Sequence, residues 1–331
     1  MWRRAAGLPT ALCSRRGAAA LCGGGASALC LYASGNANAL CEGMDCREKL
    51  SKNAILDFSN KSTAAVAVPS AAEATKGPSM EQRLIAEAVG TGIIVQFGCG
   101  AVCALKYANA QFGLFGISCA WGIGVALAVY ATRAVSGAHL NPAVTTALVS
   151  IDAFPAEEAP LYVAAQMLGA TVAATVNYLV FSAGIAASEA TASIVRGTAA
   201  STASFAGAFG MVPNTAITGS IGAFAAEMWM TSVLLFLILA IGDTKHGSVP
   251  EGAQPVLVGS AVAGLICIFG PVTGCGMNPA RDLGPRLVTL LTGWGSAALT
   301  AGWVYTLGPC VGACLGAHAY KQTLASEVTR K

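Results

Sequence analysis

Past residue 80 the chain consists of long apolar runs, fenced by single charges and by short loops rich in Gly and Pro. A helix needs about 20 apolar residues to cross the hydrocarbon core of a bilayer. Six runs reach that length, at about 83–107, 114–134, 158–183, 220–242, 254–272 and 297–319. Composition agrees with membrane. The 331 residues are 55% hydrophobic and only 11% charged, with a mean hydropathy of +0.62. Soluble domains carry about a quarter charged residues, so these charges are too few to cover a water-facing surface. The net charge of +3 comes with no basic stripe interleaved with aromatics, which argues against a nucleic-acid partner.

Two apolar pieces are too short to span: "NPAVTTALVSI" at 141–151 and "NPARDLGPRLVTLL" at 278–291. Each opens with Asn and then Pro, which suits a helix start, because Asn caps and Pro fits the first helical position. They read as half-helices that re-enter the membrane. The two halves of the chain also match. "AEAVGTG" (86–92) and "AAEMWMT" (225–231) each place one glutamate, Glu87 or Glu227, in an apolar helix. Each half then reads helix with Glu, helix, half-helix, helix. Three spans per half is odd, so the second half must enter from the opposite side, which is an inverted repeat. The expected fold is all-α, with six spanning helices and two re-entrant half-helices, and repeats at about 81–184 and 219–320. Arg83, Arg133, Lys245 and Lys321 gather on one side, which the positive-inside rule makes cytoplasmic.

Inverted half-helices place their N-termini face to face near the midplane. Asn141-Pro142-Ala143 and Asn278-Pro279-Ala280 would then meet there. Each helix start carries about half a positive charge, which a dehydrated cation or proton would oppose. A neutral hydroxyl compound or water would instead meet two amide donors. The segments Gly137-Ala138-His139 and Gly274-Cys275-Gly276 precede the asparagines. Irregular backbone at this depth must be buried in protein or line a cavity, so their carbonyls are expected as a ladder of acceptors on one wall. The other wall would be apolar. Such a lumen suits water, or a polyol with one hydroxyl edge and one carbon edge.

"SGAHLNPAVT" (136–145) and "GPVTGCGMNPARDLGP" (270–285) together resemble the aquaporin, or major intrinsic protein, family over about 80–320. "IVRG", "VPN" and "GWG" resemble its glycerol-conducting branch, the aquaglyceroporins. The resemblance implies a passive channel without catalysis, cofactor or metal. It would pass glycerol, water and similar small neutral solutes such as urea, and would assemble as a homotetramer in the lipid bilayer. It gives Arg281 the narrowest constriction, with Trp121, Ile266 and Cys275 around it. Trp121 follows the glycerol pattern. Ile266 stands where strict water channels have histidine. Cys275 departs from the glycerol facilitator, which has an aromatic there, and agrees with many water channels. Asp282 marks the glycerol branch. Glu87 and Glu227 are implied to hold the loops before the half-helices.

Other readings stay open at this stage. A water-selective channel is favoured by Cys275. A proton-coupled transporter would use Glu87 and Glu227 as titrating groups, since intramembrane acids are functional by default. An adhesion protein with a vestigial pore is opposed by the intact Asn141, Asn278 and Arg281. The twelve cysteines contain no CxxC pair, so zinc and thioredoxin-like readings lack support. Residues 1–80 contain no spanning run and form an N-terminal extension. Arg3, Arg4, Arg15 and Arg16 sit among Ala, Gly and Ser, with no acid before Glu42. That fits an organellar transit peptide or an unfolded tail. The plasma membrane is the expected location, with an organellar membrane as the alternative. Residues 321–331 are a short C-terminal tail.

Overall fold

A computed structural model of the chain describes residues 77–245 and 249–325. Nearly all of the N-terminal extension, His246 and the end of the C-terminal tail lie outside the described residues. The first half contains α1 (Met80–Tyr107), α2 (Gly113–Ser136), the short α3 (Pro142–Ser150) and α4 (Ala159–Thr191). A loop carrying one short helix, α5 (Thr202–Phe205), leads to the second half. There the pattern recurs as α6 (Ser220–Gly242), α7 (Gln254–Thr273), the short α8 (Pro279–Thr289) and α9 (Gly302–Thr323). Among the described residues there is no strand, only an isolated bridge between Ala206 and Gly210.

Local chemistry sets the helix ends. Ser79 and Gln82 form a reciprocal capping box at the start of α1, through Gln82 N–H to Ser79 Oγ (3.2 Å) and Ser79 N–H to Gln82 Oε1 (2.9 Å). Both α2 and α7 stop on a left-handed glycine, Gly137 (φ 86°) and Gly274 (φ 84°), a conformation that glycine adopts without a Cβ penalty. Two boundaries differ from the sequence expectation. α4 runs to Thr191 instead of ending near 183, because Glu189 in its last turns is paired with Arg196 (2.9 Å). α9 starts at Gly302 and not near 297, because Leu290–Leu299 is wound into tight irregular turns with Gly293 and Gly295 at positive φ.

Five helices (α1, α2, α4, α6 and α7, the last with the turn before it) are long and apolar enough to cross a membrane. α9 has the length, but Gly302, Gly308, Gly312, Gly316, Pro309 and His318 dilute its apolarity. It follows Pro279–Leu299 after a short break, at which the chain bends by 80°. That bend separates a half-helix from the sixth span. The faces that point outward carry large apolar side chains, such as Leu179, Val180, Ile221 and Leu291, which suits a lipid surround.

The halves interlock. α1 packs on α2 and α4, α6 packs on α7 and α9, and α2 against α7 joins the two sets. Each half-helix packs on the last helix of the other half, α8 on α4 and α3 on α9. Close crossings occur at small residues, as is common between membrane helices. A Cβ on Gly169 would fall onto the Ala88 carbonyl, and one on Gly312 onto the Met228 carbonyl. These are equivalent positions in the two repeats. Backbone cannot move aside as a side chain can, so Gly312→Val should separate α9 from α6. The expected result is loss of monodisperse protein in detergent, while Gly264→Val, at a glycine with open space around it, leaves it intact. A monodisperse Gly312→Val protein with unchanged thermal stability would contradict this packing.

Candidate functional site

The loops before the two half-helices share one unusual backbone. Gly137, Ala138 and Leu140 have φ of 86°, 55° and 52°, and Gly274, Cys275 and Met277 have φ of 84°, 61° and 52°. Left-handed non-glycine residues cost about 1–2 kcal/mol each, so something must hold these loops. Glu87, buried in α1, accepts from His139 N–H (2.9 Å), Leu140 N–H (2.7 Å), Ser136 Oγ (2.7 Å) and Gln166 Nε2 (2.8 Å). Glu227, buried in α6, accepts from Gly276 N–H (2.9 Å), Met277 N–H (2.9 Å) and Thr273 Oγ1 (2.7 Å). The second layer repeats too. Tyr162 donates to the Ser136 carbonyl (3.0 Å) and Tyr305 to the Thr273 carbonyl (2.7 Å). The lone glutamates therefore face the loops, and neither lines the cavity between the halves.

The loops deliver the two asparagines to one another. Asn141 Oδ1 caps α3 through Ala143 N–H (2.8 Å). Asn278 Oδ1 caps α8 through Ala280 N–H (3.0 Å) and Arg281 N–H (3.2 Å). Pro142 and Pro279 take the first helical positions, and Ala143 and Ala280 are buried behind them. The amide nitrogens cross over. Asn141 donates to the Met277 carbonyl and Asn278 to the Leu140 carbonyl, each at 2.9 Å. An amide NH₂ has two hydrogens, so each asparagine keeps one for the lumen.

A cavity of about 200 Å³ runs past this junction. Gly137, Ala138, His139 and Leu140 line it from one loop, and Cys275, Gly276 and Met277 from the other. Gly274, expected in the carbonyl ladder, is not among the lining residues. It serves as the left-handed cap of α7. Leu140 and Met277 also line the cavity; as apolar residues, a leucine and a methionine that reads as a gap filler, they carry no signal of it. The facing wall is apolar, with Ile94, Val125, Val144, Leu234 and Val262.

Trp121, Ile266, Cys275 and Arg281 all line the same cavity. The Arg281 guanidinium lies over the Trp121 ring at 4.3 Å, and its Nη1 is 4.0 Å from Cys99 Sγ. Among the described residues no carboxylate pairs with it. Trp121 in turn packs on Gly98, where a Cβ would run into the ring. A positive charge stacked on an aromatic face, with Ile266 and Cys275, thus belongs to the wall of one cavity.

Asp282 turns away from the cavity. Its carboxylate pairs with Arg286 (2.6 Å), both fully buried, and accepts from Met211 N–H (2.6 Å). Arg286 also donates to the carbonyls of Ala298 (2.6 Å), Thr300 (2.9 Å) and Met211. The pair fastens the loop before α6 and the turn before α9 to α8. This role of Arg286 was not anticipated from the sequence, although its spacing of four from Asp282 on a helix is the pattern of a facing pair. A similar junction explains "IVRG". Arg196 pairs with Glu189, lies 3.7 Å from the centre of the Trp294 ring, and donates to Tyr178 Oη (3.1 Å).

Comparison with known proteins places this geometry. Residues 74–320 match the family model described as major intrinsic protein. A glycerol uptake facilitator protein of Haemophilus influenzae is 43% identical over 257 residues, covering 76% of this chain and 96% of that protein. A propanediol uptake facilitator of Citrobacter freundii is 39% identical over 257 residues, covering 76% and 94%. Among solved structures, the aquaglyceroporin from Plasmodium falciparum superimposes with a TM-score of 0.66 at 27% identity, covering 76% of this chain and 99% of that one.

The buried carboxylates give a testable consequence. Glu227→Ala leaves two backbone donors and the Thr273 hydroxyl without a partner, at about 1–3 kcal/mol per group. Glu227→Gln retains one carbonyl acceptor. Thermal unfolding of the purified protein in detergent should rank wild type above Gln and Gln above Ala, with the same order at Glu87. Equal stability of the Ala and Gln variants would contradict the loop-holding geometry.

Proposed function

Because the chain belongs to the major intrinsic protein family, we propose that it is a passive transmembrane channel for glycerol and other small neutral solutes, which also passes water and excludes ions and protons. The observation that carries this reading is the two-sided cavity. Asn141, Asn278 and the irregular loops supply polar atoms along one side, and apolar side chains line the other. A polyol can keep its hydroxyls on the polar side and its carbons on the greasy one. A cation in the lumen would meet two half-helix N-termini and the Arg281 guanidinium, which no carboxylate among the described residues neutralises, in a setting where charge interactions far exceed their strength in water. The names of the relatives, glycerol and propanediol facilitators, support the same solute class.

On this reading Asn141 and Asn278 are the central solute contacts. Arg281, Trp121, Ile266 and Cys275 form the constriction, and the carbonyls of Gly137, Ala138, His139 and Gly276 guide the solute. Glu87 and Glu227 hold loops and do not titrate in transport, which their absence from the cavity wall supports. The water-selective alternative draws on Cys275; the apolar Ile266 favours a wider, less polar constriction. The channel domain spans about 81–320 and assembles as a homotetramer with one pore per protomer. The protein is a multi-pass membrane protein, and we place it in the plasma membrane unless the N-terminal extension redirects it.

Two experiments test this. Stopped-flow light scattering on proteoliposomes should show glycerol flux well above bare lipid, together with water flux. Water flux alone would establish the water-selective alternative. In the same preparation Arg281→Val should keep neutral flux and admit a small cation or proton leak under voltage clamp, and a silent, well-expressed variant would argue against Arg281 as the charge barrier. Separately, a fluorescent fusion of residues 1–80 reads the address. Entry into an organelle supports a transit peptide, and diffuse cytosolic signal supports an unfolded tail.

A further inference from the structure

The cavity-facing side of α7 reads Pro255, Val258, Val262 and Ile266, an apolar stripe at helical spacing. Its first member breaks the pattern. Gln254 lines the same cavity and is 4% exposed. Its amide nitrogen is buried and has no hydrogen-bond partner. Buried side-chain amides are nearly always paired, so an unmet one on a channel wall calls for an explanation.

Among the described residues no acceptor meets it. The carbonyls of the turn before α7 are engaged elsewhere, Gly252 by the Tyr130 hydroxyl and Glu251 by Arg133 (3.4 Å), and neither bonds the amide. Arg133, the charged neighbour on the cavity wall, brings only donors. What the cavity itself can bring, once a turn of the side chain bares the nitrogen to the lumen, is an oxygen with lone pairs: water, or the hydroxyl of a passing solute. Gln254 stands twelve residues before Ile266 on one helix, about 18 Å along its axis, and so lies far from the Trp121–Arg281 constriction. It opens α7, beside the end of α2, at the end of the lumen where Arg133 and Gly242 also line it.

The geometry points to Gln254 as a second solute-contacting residue: a hydrogen-bond donor at the inner end of the channel that takes hydroxyl-bearing neutral solutes after or before the asparagine pair. The inference rests on the proposed channel function and adds a selectivity position to it. A hydroxyl reaching this end otherwise meets Val, Ile and Pro on the α7 wall. A donor there lets a polyol exchange one bonded partner for another while its carbons stay on the apolar stripe. Water depends on it less, because a water in file also bonds to its neighbours.

Gln254→Met tests it, since the side chain keeps its length and loses the donor. In proteoliposomes, glycerol flux should fall by about fivefold, the worth of one hydrogen bond of ordinary strength, while water flux stays within about twofold. Gln254→Asn, which keeps an amide on a shorter stem, should fall between Met and wild type for glycerol. Water flux doubles as the check on folding, and if Gln254→Met conducts no water, Gln254→Ala takes its place. Equal glycerol-to-water ratios in wild type and the donorless variant would overturn the inference and leave the channel function standing. A wild type with no glycerol flux would remove both. A variant that gains thermal stability and keeps its ratio would show the amide to be an unmet group of the wall and nothing more.

Discussion

Glu87 and Glu227 each accept two consecutive backbone N–H groups from a loop that has left its helix at membrane depth. In water such groups would be satisfied anywhere. In a bilayer each unsatisfied one costs several kcal/mol, and left-handed Ala138, Leu140, Cys275 and Met277 add strain. Much else follows from meeting that cost with a buried acid. Once the amides are held from behind, the loop carbonyls are left to turn toward the lumen or the opposite loop. Those of Leu140 and Met277 take the second course and bind the opposite asparagine. The acid that holds each loop thereby also fixes the contact between the halves.

The duplication is close but not complete, and its breaks are informative. Ser136, Tyr162 and Gly169 have counterparts in Thr273, Tyr305 and Gly312. Gln166, which donates to Glu87, has none, and Pro309 lies in the corresponding part of α9. The third residue after Asn141 is Val144, and after Asn278 it is Arg281. The charged cluster after the second motif divides by direction. Arg281 faces the cavity, while Asp282 and Arg286 face backward into a buried pair that ties down two loops. A buried pair adds little net stability by itself, but losing one partner leaves an uncompensated charge, which makes the Met211 loop depend on both.

The spans, the half-helices and the pairing of lone glutamates with the asparagine motifs were legible because each leaves a trace in residue type: apolar length, Asn-Pro at a helix start, an acid with no other reason to be in lipid. The wall of the site was less legible. Leu140 and Met277 matter through their carbonyls and their positive φ, and nothing in an apolar side chain announces either. Gly137 is both the left-handed cap of its helix and part of the cavity wall, whereas its counterpart Gly274 is the cap alone, a difference that two glycines beside equivalent motifs do not signal. The extension of α4 to Thr191 was hidden because its last turns are held by Arg196 from outside the helix, a tertiary contact that local propensity does not carry.

On the proposed function, the asparagines' bonding leaves them a single role. Each Oδ1 is occupied by helix N–H groups and one amide hydrogen by the opposite loop. What each has left for the lumen is chiefly a donor, since the helix N–H groups hold the oxygens on the side of the half-helices. A solute oxygen between them must turn its lone pairs toward the junction and its own hydrogens away, whichever half it came from. The loops on either side offer carbonyls, which take those hydrogens. On the proposed function a chain of hydroxyls or waters would reverse its direction of donation at the junction, which would hinder the handing on of a proton there. On that reading Arg281 would add a charge barrier to cations at one end of a lumen whose centre would already interrupt proton transfer, while Arg133 lines the cavity at its other end.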